Sequence, residues 1–381
     1  MSGTPKTNLR MLHINSNYIY TQLHQNMIEA IEKNDILNNV YVATENKKKS
    51  VVDCKKYVHI SECLNKIDKF FFVIKQYKIF KDIQKEFDIH NFNCIHAYTL
   101  FTDGNCAMKL SKKYNIPYVV AVRNTDINTF FKYRFYLRKR GIKILKNAST
   151  IFFLSEPYKK QLFEQYIPNK YKKELLDKTY IIQNGIDDFW HRNKYINNNL
   201  SKKLDDIKDK QIKIIYAGRI EKNKNITTTC DAIKKLKERG WKINFVVAGK
   251  IKNNAIFEEI KDQIDYKGVL NKEELINYYR ESHIFVMPSH KETFGLVYAE
   301  AMSQGLPVIY TKGQGFDGQF DEGIVGYSVD DKNAEDIANA IEKIAKDYEK
   351  ISYNCSANID KYDWNDIAKE YIKIYSNIFS S

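Results

Sequence analysis

Short apolar runs alternate with amphipathic stretches along most of the chain. In the first half the runs lie at residues 9–14, 40–43, 57–60, 94–97, 118–122 and 150–154, and helical patterns lie between most of them. The second half starts a similar series at 213–217, with a helical pattern at 227–239 and apolar runs at 243–248 and 284–287. Short buried strands that alternate with helices are typical of parallel sheets covered by helices on both faces. The pattern predicts an α/β protein with two tandem, doubly wound, Rossmann-like domains that face a central cleft.

A polar segment separates the two series. Residues 181–187, IIQNGID, contain an Asn-Gly turn signal, and residues 191–210 are rich in Asn and Lys with no apolar face before Leu200. We therefore predict a first domain over 1–188 and a second over 189–363. The chain ends in an amphipathic helical pattern at 364–379.

The most informative stretch is residues 288–309, PSHKETFGLVYAEAMSQGLPVI. We expect Gly295 to open a helix of about ten residues that Gly305 and Pro307 close. Glu292 precedes this helix, and Glu300 lies inside it among apolar neighbours. A helix start at the end of a parallel strand suits a diphosphate, because it offers unpaired N–H groups and a positive dipole end. Glu292 could equally favour the helix start and Glu300 could be exposed or ion-paired, so the two acids alone leave both interpretations open.

A second candidate site follows the first strand of the second domain. Gly218 and Arg219 end that strand, and Lys224 comes shortly after. Glycine allows close backbone approach, and the two cations can neutralise a diphosphate. An ordinary Arg at a strand end and a solvated Lys are the alternative.

Taken together, these motifs resemble the retaining glycosyltransferases of family 4. The similarity lies mostly within residues 184–326 and includes NGID, the Gly-Arg…Lys pair, Gly268-Val269, the two glutamates around Phe-Gly-Leu, and AMSQGLPVI. It implies the GT-B fold, a last helix (364–381) that crosses back to the first domain, and transfer of a sugar from a nucleotide donor with retained anomeric configuration. It also implies that no metal and no cofactor other than the nucleotide-sugar co-substrate is needed, and the chain has no Asp-x-Asp motif.

The resemblance assigns roles to individual residues. Glu292 is expected to contact the donor sugar, Glu300 the ribose, and Arg219 and Lys224 the donor phosphates. The remaining residues of the predicted nucleotide-sugar site are Gly218, Val269, Ser289, Phe294, Gly295 and Leu296.

Two positions in the first domain depart from the family pattern. The loop after the first strand has Ser16-Asn17 where many members have Gly-Gly, so hydroxyl and amide groups are expected to meet the donor there. Arg123 stands where many members have a His that contacts the donor sugar. Arginine cannot act as a base near neutral pH, so Arg123 would bind a hydroxyl or an anion instead. Asp126 is a further candidate in the same loop.

An acceptor site is only weakly indicated. His96 lies at the end of a predicted strand, where we expect the rim of the cleft, and Tyr98 and Asp103 follow it. A lone histidine is more often structural than functional, and the sequence leaves both interpretations open.

The Gly-x-Gly-x-x-Gly of Gly313, Gly315 and Gly318 is not a dinucleotide fingerprint. That fingerprint needs a following helix to hold the pyrophosphate, and the next residues, QFDEGIVG, do not favour one. We predict a flexible loop beside the donor site.

Charge and composition narrow the class of protein. A formal net charge of +14 favours an anionic partner, although Lys, Asn, Ile and Tyr are abundant throughout. The six cysteines, including Cys54, show no zinc spacing and are expected to be free thiols. The first residues lack an apolar signal core, and no run approaches the roughly 18 apolar residues that span a bilayer. We expect a cytoplasmic protein, with peripheral contact at the inner face of the cytoplasmic membrane as a further expectation.

Two basic regions are candidates for that membrane contact. Residues 131–146, with Phe130 before them, carry seven cations, five aromatic residues and no acid, so interfacial docking and a solvated helix are both open. For residues 65–87 we favour a helix that packs on the core.

Two other classes of function stay open. The charge allows a nucleic-acid-binding protein, although no recognisable nucleic-acid module is present. The departures at Ser16-Asn17 and Arg123 allow a non-catalytic partner that keeps the fold. The sequence favours a UDP-sugar-dependent transferase that acts on a sugar or lipid-linked glycan acceptor in surface polysaccharide or glycoconjugate synthesis, with no nucleic-acid partner.

Overall fold

A computed structural model describes residues 9–46, 50, 52, 55–195 and 199–379. The chain divides into two compact units. Unit 1 comprises Met1–Leu154, Tyr158–Gly185 and Trp364–Ser381, and unit 2 comprises Ser155–Pro157 and Ile186–Asp363.

Unit 1 is built from seven strands and the helices between them. The strands are β1 (Arg10–Ile14), β2 (Leu37–Ala43), β3 (Val58–Ser61), β4 (Cys94–Ala97), β5 (Tyr118–Ala121), β6 (Thr150–Phe153) and β7 (Thr179–Ile181). The helices are α1 (Gln22–Glu32), α2 (Phe72–Glu86), α3 (Thr102–Tyr114), α4 (Arg138–Asn147), α5 (Glu156–Gln165) and α6 (Asn169–Leu176).

The sheet of unit 1 is parallel throughout, in the order β3-β2-β1-β4-β5-β6-β7. Strand β1 pairs with β2 on one side and β4 on the other, so His13 lies between Val40 and His96. Met11 belongs to the core on one face and Leu12 to the core on the other. Both faces are therefore covered, which explains why these strands read as continuous apolar runs. The strand order reverses at β1 and β4, where ligands bind in such sheets.

Unit 2 repeats this architecture with six strands. They are β8 (Gln211–Ala217), β9 (Lys242–Ala248), β10 (Asp265–Tyr266), β11 (Ile284–Val286), β12 (Val308–Thr311) and β13 (Gly326–Val329). The helices are α7 (Asp188–Arg192), α8 (Leu200–Lys208), α9 (Ile226–Glu238), α10 (Asn254–Ile260), α11 (Lys272–Glu281), α12 (Leu296–Met302), α13 (Ala334–Lys346) and α14 (Tyr348–Ala357).

The sheet of unit 2 is also parallel, in the order β10-β9-β8-β11-β12-β13. Strand β8 pairs with both β9 and β11, and Ile214 lies opposite Ile284. The order reverses between β8 and β11, so the loops that follow these two strands flank the expected ligand position of this unit.

The last helix, α15 (Trp364–Phe379), belongs to unit 1. Trp364, Tyr371 and Tyr375 are buried in the same core cluster as Met11 of β1. The prediction that the chain crosses back to the first domain is confirmed.

Three helical predictions need correction. The helix expected to run about ten residues from Gly295 is α12, which has seven residues, and the chain leaves it through a turn at Gly305 in the left-handed region (φ 73°). Residues 131–146 are not one helix, because a π-helical turn ends at Phe131, a 3₁₀ turn spans Phe135–Leu137, and α4 begins only at Arg138. In residues 65–87 the α-helix begins at Phe72, after a separate 3₁₀ turn.

Five of the six cysteines lie in the described part of the chain and are free: Cys63, Cys94, Cys106, Cys230 and Cys355. Cys54 lies outside the described residues. Across the described ranges, no helix has the length and apolar character needed to cross a membrane.

Candidate functional site

Two loops at the carboxyl ends of β8 and β11 are tied together by hydrogen bonds. The His290 N–H donates to the Asn223 carbonyl oxygen at 2.8 Å, and the Asn223 side-chain amide donates to the Lys291 carbonyl oxygen at 2.9 Å. The Asn225 amide donates to the Pro288 carbonyl oxygen at 3.0 Å. Asn225 has a left-handed backbone (φ 53°), which Asn tolerates better than most residues. These bonds fix the two loops relative to each other and place Lys224 next to the start of the 288–309 stretch.

Lys224 and Glu292 form an ion pair between these loops. Lys224 Nζ lies 2.6 Å from Glu292 Oε2, and the side chains are only 16% and 15% exposed. Glu292 Oε1 also accepts the Thr293 N–H at 3.1 Å. The structure thus brings together two residues that the sequence assigned to different parts of one donor molecule.

The glycine-rich loop after β12 holds the backbone of Glu292. The Glu292 N–H donates to Gln314 Oε1 at 3.1 Å, and the Gly315 N–H donates to the Glu292 carbonyl oxygen at 2.9 Å. A Cβ on Gly315 would lie 2.0 Å from the Thr293 carbonyl oxygen, so only glycine permits this approach. No helix follows within residues 312–325, all of which are described, so the rejected dinucleotide fingerprint is a loop that supports Glu292.

Arg219 occupies a more open position than Lys224. Its guanidinium Nη2 lies 2.9 Å from Glu221 Oε1, and its side chain is 58% exposed. Its carbonyl oxygen accepts the Tyr216 hydroxyl at 2.7 Å, which fixes the backbone while the guanidinium faces solvent. The carbonyl oxygen of Gly218 lies against Gly249, where a Cβ would approach it to 1.9 Å. The backbones after β8 and β9 are therefore in direct contact.

Glu300 lies in an electrostatically unusual environment on α12. Burial raises the pKa of its carboxyl group from 4.5 to about 7, while the charge of Lys272 and a contact with the Trp190 indole oppose that increase. Lys272 is itself paired with Asp187, with Nζ 2.6 Å from Oδ2. Glu300 is thus a half-buried acid that holds its proton to a higher pH than an exposed glutamate does. No sequence pattern points to Lys272 or Asp187, because Asp187 caps α7 and Lys272 begins α11, far apart in the chain.

The other residues predicted to bind the nucleotide sugar differ in their exposure to solvent. Val269 is 71% exposed and follows Gly268, whose carbonyl oxygen accepts the Gly249 N–H at 2.6 Å. Leu296 is half-buried at the start of α12. Ser289 is fully buried, so its hydroxyl does not face an open site, and its place in the nucleotide-sugar site stays a prediction.

Phe294 and Gly295 shape the turn into α12. Phe294 is buried, with its ring centroid 5.9 Å from that of Tyr362. Gly295 has a left-handed backbone (φ 77°), and a Cβ there would come within 2.3 Å of the Tyr298 ring. The Phe294 ring and the left-handed Gly295 backbone therefore serve the fold, and only the backbone N–H groups of these two residues could serve a ligand.

In unit 1, Ser16 and Asp103 join the loops after β1 and β4. The Ser16 hydroxyl donates to Asp103 Oδ1, and the Thr99 hydroxyl donates to Asp103 Oδ2 at 3.0 Å. Asp103 is 1% exposed, and burial raises its pKa to about 6. Asp103 therefore holds Ser16 in place and does not present its carboxylate to a ligand directly.

Asp126 plays a similar part for the loop after β5. Its carboxylate accepts backbone N–H groups of Leu100 at 3.0 Å, Phe101 at 3.3 Å and Arg123 at 2.9 Å. Burial raises the pKa of Asp126 to about 6. The Arg123 side chain is half-buried, and its Nε donates to the Tyr98 carbonyl oxygen at 3.0 Å.

The prediction that His96 and Tyr98 lie at an open rim is wrong. Both are 1% exposed, and their rings stack at a centroid distance of 4.3 Å. His96 Nδ1 lies 2.7 Å from the Tyr375 hydroxyl oxygen of α15, and burial lowers the pKa of His96 well below its ordinary value. The structural interpretation of this histidine is the correct one, because α15 covers the face of the sheet on which it lies.

A cavity of about 310 Å³ opens at the carboxyl ends of β1, β2, β4 and β5 in unit 1. Its lining includes three predicted residues, Ser16, Asn17 and Asp126, and is otherwise rich in hydroxyl groups from Thr44, Thr99, Thr102 and Thr125, with Lys75 and Phe130 at its side. No sequence pattern reveals these threonines, because they follow three different strands (β2, β4 and β5) and only the sheet brings them together.

Among the described residues, no group of three or more His, Cys, Asp or Glu side chains is arranged to hold a metal ion.

Known proteins of one family are similar to part of this chain. The sequence profile of the family described as glycosyl transferases group 1 matches residues 198–362. A probable sucrose-phosphate synthase from Thermosipho melanesiensis is 28% identical over 303 residues, which cover 72% of this chain and 68% of that protein.

Solved structures match over nearly the whole chain. Sucrose-phosphate synthase from Thermosynechococcus elongatus aligns with a TM-score of 0.76 at 16% identity, covering 98% of this chain and 99% of its own. HepE from Anabaena, solved with UDP and glucose, aligns with a TM-score of 0.66 at 14% identity, covering 97% and 100%. At these identities the two structures establish the fold, while membership in family 4 stays a prediction. The chain has the GT-B fold, and its residues 198–362 match the glycosyl transferases group 1 family, which supports glycosyltransferase activity.

Proposed function

We propose that this glycosyltransferase uses a nucleotide diphosphate sugar, a UDP-sugar, and transfers the sugar with retained anomeric configuration. The acceptor in this proposal is a glycan or lipid-linked glycan of surface polysaccharide or glycoconjugate synthesis. The observation that carries the proposal is the Lys224–Glu292 ion pair between loops at the carboxyl ends of β8 and β11. A cation and a carboxylate held together at such a strand-order reversal match the two needs of a nucleotide sugar, which are charge neutralisation at the diphosphate and orientation of the sugar hydroxyls.

In this proposal the bound donor breaks the Lys224–Glu292 ion pair and takes the place of each residue's partner. The diphosphate takes charge-assisted hydrogen bonds from Lys224 and from the exposed guanidinium of Arg219. Glu292 is then released to accept hydrogen bonds from the donor sugar. Glu300 holds the ribose hydroxyl groups, and backbone N–H groups of Phe294, Gly295 and Leu296 add donors near the diphosphate.

The chemical step needs charge stabilisation more than a protein base. The bond between C1 of the sugar and the diphosphate oxygen breaks, and a bond from C1 to the acceptor oxygen forms on the same face of the sugar. The acceptor proton passes to an oxygen of the departing diphosphate. Arg219 and Lys224 would lower the barrier by stabilising the negative charge that develops on that diphosphate, and no metal ion is required in this scheme.

Unit 1 supplies hydroxyl-rich surface for a sugar in the same proposal. The cavity lined by Ser16, Asn17 and several threonines offers hydrogen-bond donors and acceptors that suit sugar hydroxyl groups, and Glu45, Lys75 and Asp126 are the acidic and basic residues of its lining. Arg123 would bind a hydroxyl or an anionic group in this unit, and Asp126 would act by holding the Arg123 backbone.

A screen of nucleotide sugars tests the proposal. The chain is incubated with UDP-sugars and other nucleotide sugars, with and without glycan acceptors, in buffer with and without a metal chelator, and nucleotide release is measured. Release from at least one UDP-sugar that survives the chelator, with product of unchanged anomeric configuration by NMR, is the expected result. Failure of every nucleotide and nucleotide sugar to stabilise the fold would overturn the proposal, and salt-sensitive nucleic-acid binding alone would favour the nucleic-acid alternative.

A further inference from the structure

Unit 1 carries a cluster of large apolar side chains that face solvent. We call it the aromatic–basic surface and define it by its nine exposed members: Ile67, Phe70, Phe71, Val73, Ile74, Tyr77, Tyr133, Phe135 and Tyr136. Phe70 is 74% exposed and Phe135 is 71% exposed. Single exposed apolar residues are common, but this many in two short segments mark a contact surface.

Packed aromatic rings, of which Phe72 and Phe101 are buried and Phe130 is partly buried, hold the two segments side by side. The ring of Phe72, at the start of α2, meets that of Phe130 edge to face at a centroid distance of 6.4 Å. Phe130 stacks on Phe101 at 4.7 Å, and the Arg134 guanidinium lies 4.7 Å from the Phe130 ring centroid on the side of the second segment. The exposed side chains on either side of these rings therefore belong to one surface.

The second segment projects as a fixed turn. Arg138 Nε donates to the Phe131 carbonyl oxygen at 2.7 Å, and buried Leu137 anchors the turn from below. Tyr133, Phe135 and Tyr136 point outward from it. Such a turn can insert side chains into an interface without refolding.

The charge of the two segments that form this surface is almost entirely positive. Residues 65–78 and 130–146 together contain eleven Lys and Arg residues and a single acid, Asp68. Asp68 is 5% exposed and paired with Lys78 at 2.8 Å, so it adds no negative charge to the exterior. Exposed aromatic and aliphatic side chains surrounded by Lys and Arg are the composition of interfacial membrane anchors.

We propose that the aromatic–basic surface docks unit 1 onto an anionic phospholipid bilayer. The apolar side chains enter the boundary between headgroups and acyl chains, while Lys and Arg contact the lipid phosphates. A second copy of this chain is a poor occupant, because two such basic surfaces repel each other. Nucleic acid is also a poor one, because Ile67, Val73 and Ile74 offer it neither stacking nor hydrogen bonds.

The surface borders the hydroxyl-lined cavity of unit 1. Lys75 of α2 and Phe130 both line that cavity, and both lie in the segments that carry the exposed side chains. A lipid-linked acceptor held in the bilayer would therefore present its sugar close to the cavity. This last step rests on the proposed function, whereas membrane docking itself does not.

Co-sedimentation of the full chain with vesicles tests the docking. Phosphatidylcholine vesicles are compared with vesicles that also contain phosphatidylglycerol, at low and high salt and without any donor or acceptor. We expect binding to the anionic vesicles that weakens with salt. The variants Phe70→Ser/Phe135→Ser and Lys132→Glu/Lys139→Glu should each bind at least about tenfold more weakly, because both apolar insertion and charge contribute.

Matched controls come from exposed positions of unit 2. Tyr353→Ser removes an aromatic side chain that is 70% exposed, and Lys202→Glu reverses an exposed charge, so both should bind vesicles like the parent. Circular dichroism and UDP-induced thermal stabilisation should be the same in all variants, which separates this test from that of the sugar-transfer proposal. The docking proposal would be overturned if the parent did not bind anionic vesicles, or if the surface variants bound them as tightly as the parent. It would also be overturned if the substitutions abolished self-association of the chain and left vesicle binding unchanged.

Discussion

Lys224 Nζ and Glu292 Oε2 lie 2.6 Å apart, although the two residues belong to loops that follow different strands. The side chains are largely shielded from solvent, so each charge depends on the other. The ion pair therefore joins a cation and an acid that lie far apart in sequence within unit 2. It also separates this pair from Arg219, whose guanidinium is more than half exposed.

That difference predicts that two alanine substitutions affect stability to different extents. Lys224→Ala leaves the largely buried Glu292 carboxylate without its cation and should lower the free energy of unfolding by about 1–3 kcal/mol. Arg219→Ala removes an exposed side chain and should change it by no more than about 0.5 kcal/mol. Urea unfolding followed by circular dichroism measures both.

The same two variants should both lose catalysis. Each removes a cation proposed to stabilise the leaving diphosphate, so kcat should fall by about a hundredfold or more in both. Arg219→Lys keeps the charge and should retain more activity than Arg219→Ala, with Lys202→Glu as the surface control. Sugar transfer at the parental rate by both alanine variants would show that the assigned roles are wrong.

Titration of the Glu300 carboxyl group should make nucleotide binding depend on pH. Its pKa is raised to about 7, so the carboxyl group gains its charge as the pH rises through that value. If the carboxylate accepts hydrogen bonds from the ribose, UDP affinity should increase from the acidic to the basic side of pH 7. Glu300→Gln should bind UDP weakly at all pH values and lose this dependence, as measured by calorimetry. An unchanged pH profile in Glu300→Gln would assign the dependence to another group.

The same raised pKa has a consequence for stability. The unfolded chain ionises Glu300 near pH 4.5, whereas the folded chain holds the proton up to about pH 7. Between these values the folded state binds more protons, so the stabilising contribution is present at low pH and is lost as the pH rises. Asp103 and Asp126, with pKa values raised to about 6, act in the same direction. The free energy of unfolding of Glu300→Gln should therefore fall less steeply with pH than that of the parent.

A side chain at position 315 should displace Glu292 sterically. Gly315→Ala places a Cβ about 2.0 Å from the Thr293 carbonyl oxygen, so the backbone that holds Glu292 must move. We expect loss of UDP-sugar binding and of activity. Gly313→Ala is the matched control, because its Cβ meets nothing within 4 Å and only its left-handed backbone (φ 74°) is strained. It should cost about 1 kcal/mol of stability and leave donor binding intact.

Loss of the hydrogen-bond partner of His96 should lower stability and leave donor binding unchanged. Tyr375→Phe removes the hydroxyl that lies 2.7 Å from His96 Nδ1, so a buried polar atom loses its partner. The free energy of unfolding should fall by about 1–3 kcal/mol, while UDP affinity stays the same. A large loss of donor affinity in this variant would contradict the structural interpretation of His96.

The sequence alone determined the class of fold and supplied the candidate residues for the donor half of the site. Apolar runs that alternate with helical patterns led to two parallel sheets, because local periodicity records which positions are buried. The glutamates at 292 and 300 and the cations at 219 and 224 could be named, because they lie in short contiguous motifs.

The tertiary structure decided which of these residues interact and which are merely buried. No sequence pattern shows that Lys224 pairs with Glu292, that α15 covers His96, or that burial shifts the pKa of Glu300, since each depends on segments distant in the chain. The same is true of the aromatic–basic surface, because α2 looked like a core-packing helix from its period. Its inner face does pack on the core, but only the folded chain shows that Val73, Ile74 and Tyr77 of its first turns face solvent near the segment that carries Phe135. Burial is a property of the assembled fold, and the local pattern records it only where one face of an element is consistently covered.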